Sequence, residues 1–180
     1  MNTSPNVAVV VGNPKPASRT LEATSRLARD LVGAEPQVIV DLATLGPGLL
    51  HVDDADVGDV VAHVAAADLV VVGSPTYKAT YTGLLKLFLD RFAPGYGTGL
   101  TGLAVPFMLG AGPGHALAPE LLLRPVLTEI GGLVPVPGLY VLESEYDAPD
   151  AYAAWLERAR PVITTLLDSR LRSPRPVALP

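Results

Sequence analysis

The sequence contains no cysteine. Disulfides, thiolate nucleophiles, iron–sulfur clusters and thiolate zinc sites are excluded, and any redox chemistry must be carried by a bound organic cofactor. No stretch approaches eighteen uninterrupted apolar residues, which argues against a membrane span. The amino end, Met1-Asn2-Thr3-Ser4-Pro5, has neither a basic n-region nor an apolar h-region, so no secretory signal is expected and a cytoplasmic location is. Basic residues form no stripe apart from two arginines in the tail, and the formal net charge is −5, which disfavours nucleic acid as a partner. No Gly-x-Ser-x-Gly elbow marks a Ser/His/Asp hydrolase. The acidic group Asp53, Asp54, Asp56 and Asp59 lacks an EF-hand glutamate, since Val64 stands in its place, and reads as a solvated loop and helix start. His51 and His63 have no convergent partners and read as structural.

What the chain does have is apolar bulk: 49% of its 180 residues are hydrophobic and 17% charged, the balance of a single globular domain with a real core. That domain is expected over residues 1–172. Ser173 to Pro180, with three prolines in eight residues, reads as a flexible C-terminal tail.

The chain is organised around Leu69 to Phe92. Leu69-Val70-Val71-Val72 is a continuous β-branched run stopping at Gly73-Ser74-Pro75, the signature of a strand buried on both faces. Beyond the loop, Tyr81, Leu84, Leu85, Phe88 and Phe92 recur at helical spacing, with Tyr81 expected in the core. The same alternation recurs elsewhere. Strands are expected at Val7–Val11, Val38–Val40, Leu103–Leu109 and Leu133–Leu142. Helices are expected over about 19–32 (Ser18 as N-cap), 56–67, 116–130 (kinked at Pro125) and 148–167. Pro135 and Pro137 put the fifth strand at an edge. Five strands alternating with five helices give an α/β fold, a flavodoxin-like doubly wound five-stranded parallel sheet of order 2-1-3-4-5, with helices on both faces. Such sheets bind ligands at the carboxyl ends of their strands, where three loops are candidates.

The first loop, Gly12-Asn13-Pro14-Lys15-Pro16-Ala17-Ser18-Arg19-Thr20, joins a strand to a helix start, so free amides and the positive end of the helix dipole meet there. Asn13, Ser18 and Thr20 add donors, and Lys15 or Arg19 charge. The loop is neither a Walker A nor a Gly-x-Gly-x-x-Gly turn, which points to a terminal phosphate more than an embedded pyrophosphate. An ordinary capped turn explains the same residues, and both readings stand. The third-strand loop, Pro75-Thr76-Tyr77-Lys78, offers amides around a rigid proline of the kind a flat anionic ring needs. A flavin asks for such donors near N1, O2, O4 and N5. Tyr77 suits the edge of such a ring, and Lys78 a phosphate or ring carbonyl. A packed crossover loop with Tyr77 in the core is the plainer alternative. The fourth-strand loop, Gly110-Ala111-Gly112-Pro113-Gly114-His115, lets backbone approach the ring's other edge, with Gly110 to Gly112 nearest. His115 either donates to a flavin carbonyl or caps the following helix.

Taken together, GNPKPASRT, GSPTYKATYTGLLKLFLDRF and PFMLGAGPGHALAPELLLRPVLTEIGG resemble the NADPH-dependent FMN reductase family, most closely the small reductases serving two-component sulfonate-type monooxygenases. The resemblance runs from the first strand to the fifth. It implies non-covalent FMN, hydride transfer from NADPH or NADH to flavin N5, homodimer or homotetramer assembly, and a flavin-dependent monooxygenase as recipient of reduced FMN. It maps Ser18, Arg19 and Thr20 onto a phosphate-binding Ser-Arg-Ser, Pro75 to Lys78 onto the ring loop, and Gly110 with Gly112 onto the second ring loop. Three departures stand out: Asn13 where serine is usual, Lys15 where arginine is common, and Leu121 where some sulfonate-type reductases carry tyrosine. No general acid or base is assigned. Two other readings share the scaffold: an NAD(P)H:quinone or azo reductase, and a non-catalytic flavodoxin-like electron carrier. The chain length and extended final helix favour the reductase.

Overall fold

A computed structural model describes residues 4–172, so the expected tail at 173–180 lies outside the described residues. Five strands, β1 (Val7–Val11), β2 (Val38–Asp41), β3 (Leu69–Pro75), β4 (Leu103–Gly110) and β5 (Leu139–Leu142), form one parallel sheet of order β2-β1-β3-β4-β5. The helices are α1 (Arg19–Val32), α2 (Ala55–Ala65), α3 (Gly83–Leu89), α4 (Arg124–Glu129) and α5 (Ala153–Arg172).

The sheet is buried on both faces, and the period of two divides its side chains between two cores. Val7, Val9 and Val11 pack under α1 and α5 with Leu27, Leu31, Trp155 and Ile163. Ala8 and Val10 point the other way, against Val61, Leu85, Phe88 and Leu127 of α2, α3 and α4. Close approach of α1 to the sheet needs Gly73, since a Cβ there would lie 2.0 Å from the Thr24 hydroxyl.

Several elements differ from expectation for identifiable reasons. β3 runs three residues past Val72, because β4 keeps pairing with it: Ser74 opposes Met108 and Pro75 opposes Leu109. β1 has ended by then, its last bond on that side being Gly12 N–H to the Gly73 carbonyl, so the donor that Pro75 lacks would have had no partner. α3 begins at Gly83 with Thr82 as its N-cap, leaving Tyr81 outside the helix and half-buried against the core. The helix expected at 116–130 is broken into a 3₁₀ turn (Pro113–His115), a π turn (Pro119–Leu123) and the short α4. Pro125 has no N–H to give Leu121, and the wider turn just before it accommodates its ring. β5 is four residues, not ten; Pro135 and Pro137 precede it, although it does occupy an edge. α5 starts at Ala153 rather than near 148, because the preceding stretch docks on α1: Arg26 donates to the Tyr146 and Pro149 carbonyls at 3.2 and 3.0 Å.

Candidate functional site

Parallel pairing sends the turns after β1, β3 and β4 to one rim, and β1 and β3 are where the chain's winding changes direction. Hydrogen bonds tie these turns together. The Thr82 hydroxyl donates to the Gly12 carbonyl and accepts from the Leu85 amide, and the Thr82 amide donates to the Ser74 hydroxyl at 3.1 Å. The Thr76 amide donates to the Leu109 carbonyl at 2.7 Å, joining the β3 turn to the end of β4.

In the first turn, buried Asn13 donates from Nδ2 to Thr20 Oγ1 at 3.0 Å and accepts the Lys15 amide at Oδ1 at 2.9 Å. Ser18 is the N-cap of α1, its hydroxyl accepting the Leu21 amide at 3.3 Å. Capping satisfies one of the orphan amides of the first helical turn and leaves others aimed outward with the helix dipole behind them. Ala17, just before the cap, holds a left-handed φ of 51° and gives its amide to Asp41 at 2.8 Å. Lys15 is exposed. Arg19 is also exposed, but its guanidinium is paired: Nη1 lies 3.1 Å from Glu143 Oε1.

The β3 turn holds the most unusual backbone. Tyr77 and Thr80 exchange amide-to-carbonyl bonds of 2.8 and 3.2 Å around Lys78 and Ala79, at φ 50° and 73°. Two consecutive left-handed residues make a type I′ turn, built here without the Asn or Gly that tolerate it. Tyr77 is 51% exposed, so the packed-core alternative for it fails. The Thr76 hydroxyl oxygen is buried and has no hydrogen-bond partner.

In the β4 turn, Gly110 is required by a neighbour, since a Cβ would sit 1.6 Å from the Tyr140 hydroxyl. That hydroxyl donates to the Gly112 carbonyl at 2.6 Å. A Cβ on Gly112 would meet open space. His115 is exposed and its ring caps neither its own turn nor the helical turns beyond, which removes the capping alternative. With Ala79, Leu117, Leu121 and Leu122 it lines a cleft of about 430 Å³ joining the β3 and β4 turns.

The structure thus gathers Asn13, Lys15, Ser18, Arg19 and Thr20 around one helix end, and Pro75 to Lys78 with Gly110, Gly112 and His115 along the neighbouring rim. Four residues that sequence reasoning missed support them: Asp41, Thr82, Tyr140 and Glu143. Asp41 and Glu143 carried a signal, a carboxylate at the carboxyl end of an apolar strand. Thr82 carried one too, an N-cap hydroxyl before the Leu84-Leu85 run, masked because Tyr81 fits the same helical spacing; Tyr140 carried none. The acidic stretch before α2 is helix capping, with Asp54 accepting the Val57 amide at 3.0 Å. Among the described residues no cluster of His, Cys, Asp or Glu is arranged to hold a metal, and no helix is long and apolar enough to cross a membrane. On the α1/α5 face, burial pushes the Tyr152 phenol up to about 12. Tyr146 is raised by desolvation and by its hydrogen bond to Glu22.

Comparison with known proteins agrees with this geometry. Residues 5–147 match the model of a family described as NADPH-dependent FMN reductase. The chain is 32% identical over 157 residues to an FMN reductase (NADPH) of Pseudomonas aeruginosa, covering 81% of each chain. It is 34% identical over 160 residues to the NADH-dependent FMN reductase SfnF of Pseudomonas putida, covering 82% of this chain and 83% of that one. Its structure is similar to that of an NADH:FMN oxidoreductase in its apo form, with a TM-score of 0.76 and 30% identity over 92% of this chain and 90% of the other.

Proposed function

The chain belongs to the NADPH-dependent FMN reductase family, and from that membership we propose that it reduces FMN with NADPH or NADH and passes the reduced flavin to a flavin-dependent monooxygenase. The observation that carries the site assignment is the Thr76 hydroxyl, buried without a partner between the β3 and β4 turns. A buried donor left unpaired costs about 1–3 kcal/mol, and a flavin ring carbonyl is the acceptor that would recover it. The helix end above β1 suits a phosphate equally well.

FMN held here would supply the redox chemistry, as the acceptor of the nicotinamide's hydride. The chain's own part is positioning and electrostatics. Asn13, Lys15, Ser18, Arg19 and Thr20, with the first amides of α1, hold the phosphate. Pro75, Thr76, Tyr77 and Lys78 would hold the ring, Tyr77 with its exposed aromatic side chain and Lys78 with a cation. The backbone from Gly110 to Gly112, steadied by Tyr140, and the His115 ring would add donors to the same ring. Such fixed donors would stabilise negative charge on a reduced ring without reorganising, and no side chain has to act as acid or base.

Leu117 and Leu121, 65% and 63% exposed, lie on the flank of the 430 Å³ cleft and support self-association as a homodimer or homotetramer. A cytoplasmic location is proposed on the ground that the reaction draws on reduced nicotinamide and FMN. The test is direct: purified protein given FMN under anaerobic conditions bleaches the flavin with NADPH, NADH or both. Failure with both donors, despite flavin binding, refutes the reductase. A stable semiquinone without donor turnover identifies an electron carrier instead, and ping-pong transfer to a quinone from retained flavin identifies a quinone reductase.

A further inference from the structure

Arg19 is claimed twice. As the first residue of α1 it stands beside the free amides of the helix end, yet its guanidinium is 3.1 Å from Glu143, a residue 124 positions away just beyond β5. β1 and β5 are separated in the sheet by β3 and β4, and α1 leans over β3 and reaches β4, which brings its first turn within an arginine's length of the end of β5. The pair belongs to a longer clasp. Arg19, Glu22 and Arg26 fall on one stripe of α1 and hold the stretch after β5 in turn. Glu22 accepts the Tyr146 hydroxyl at 3.1 Å, and Arg26 binds two carbonyls while lying 4.6 Å from the Tyr152 ring centre. This clasp fixes where the Glu143 carboxylate stands.

We propose, resting on the phosphate site assigned above, that Glu143 competes with the FMN phosphate for Arg19 and so keeps FMN an exchangeable substrate rather than a tightly held group. The side chains are 64% and 47% exposed, so their attraction is strongly screened and Arg19 can leave Glu143 at small cost. A carboxylate beside a phosphate, however, disfavours the phosphate by charge, and the Nη1 donor spent on Glu143 is lost to bidentate phosphate binding. Glu143 acts as a positioning residue: it neutralises Arg19 while the site is empty and opposes the anion that replaces it. Riboflavin, which has the ring without the phosphate, is indifferent to it.

The experiment measures dissociation constants of FMN and riboflavin by quenching of flavin fluorescence for the full chain, Glu143→Gln, Glu143→Ala, Arg19→Gln and the double variant Arg19→Gln/Glu143→Gln. Both Glu143 variants are expected to tighten FMN about three- to tenfold and to leave riboflavin within about twofold. In the Arg19→Gln background the gain from Glu143→Gln shrinks to what direct carboxylate–phosphate repulsion contributes, about twofold or less. FMN affinity that stays unchanged or weakens, an equal gain for riboflavin, or a gain as large without Arg19 as with it overturns the proposal. If the unaltered chain binds neither flavin, the functional reading fails first, and the inference with it.

Discussion

Ala79→Gly tests whether the turn after β3 is strained. Ala79 sits at φ 73° beside Lys78 at φ 50°. A residue with a Cβ loses roughly 1–2 kcal/mol in that region, because the Cβ crowds the following carbonyl oxygen. Glycine removes the clash but adds about 0.5–1 kcal/mol of chain entropy to the unfolded state. The difference leaves a net gain of about 0.5–1 kcal/mol. In a chain of this size that raises Tm by about 1–4 °C. Thermal unfolding of the flavin-free protein reads it, with Ala116→Gly as the control. Ala116 is exposed at φ −57°, where glycine brings only the entropy penalty, so Tm should fall there. An Ala79→Gly variant that melts at or below the unaltered protein would show that the turn stores no strain.

Gly110→Ala puts a methyl group 1.6 Å from the Tyr140 hydroxyl and must break its bond to Gly112, so urea unfolding should show a loss of about 1–3 kcal/mol; an unchanged midpoint refutes the packing argument. Thr76→Val removes the unpaired buried hydroxyl, so the flavin-free protein should be as stable or up to about 1 kcal/mol more stable while FMN binds about tenfold more weakly; lower stability with unchanged affinity would take Thr76 out of the site. Tyr152, buried and raised to about 12, binds its proton more tightly folded than unfolded. Its contribution is therefore intact below about pH 10 and is lost, about 2–3 kcal/mol in all, as pH rises towards 12. Tyr152→Phe gives up the hydrogen bond to the Tyr146 carbonyl at neutral pH but should flatten this alkaline decline in denaturant titrations, and an unaltered slope refutes the assignment.

Much of the fold was legible because its determinants are local. Val7–Val11 can only be a strand buried on both sides. Ser18 and Gly33 bracket α1 as side-chain cap and left-handed C-cap, so its ends fall where the residues place them. Strand order followed from alternation and length. What escaped depends on partners distant in sequence. β3 extends through Ser74 and Pro75 only because β4 is there to pair with, and α5 starts late because Arg26 holds the residues before it. The three candidate loops were visible through their glycines, prolines and hydroxyls. The state of Arg19 was not, since nothing near it in the sequence announces Glu143. Nor was the Lys78–Ala79 turn, whose residue types argue against the conformation they hold.

That turn and its surroundings divide the rim into a satisfied base and an unsatisfied tip. At the base, Ser74 and Thr82 are buried and spend their hydroxyls on Gly12, Leu85 and each other's segments, which locks the β1 and β3 turns to α3. At the tip, an unpaired hydroxyl and two left-handed residues fall within four positions, Thr76 to Ala79. The free energy of the unpaired hydroxyl is available to a ligand that pairs it, whereas the strain of the turn is carried with and without ligand and supplies a fixed shape to pack on. A preorganised tip also spares the ligand the entropy of ordering it. Ala79→Gly should therefore act in opposite directions on the two states: a higher melting temperature without flavin, and FMN bound a few-fold more weakly because the loosened turn must be ordered on binding. If the variant gained in both, the strain would be incidental to binding, and the β3 turn would owe its shape to packing alone.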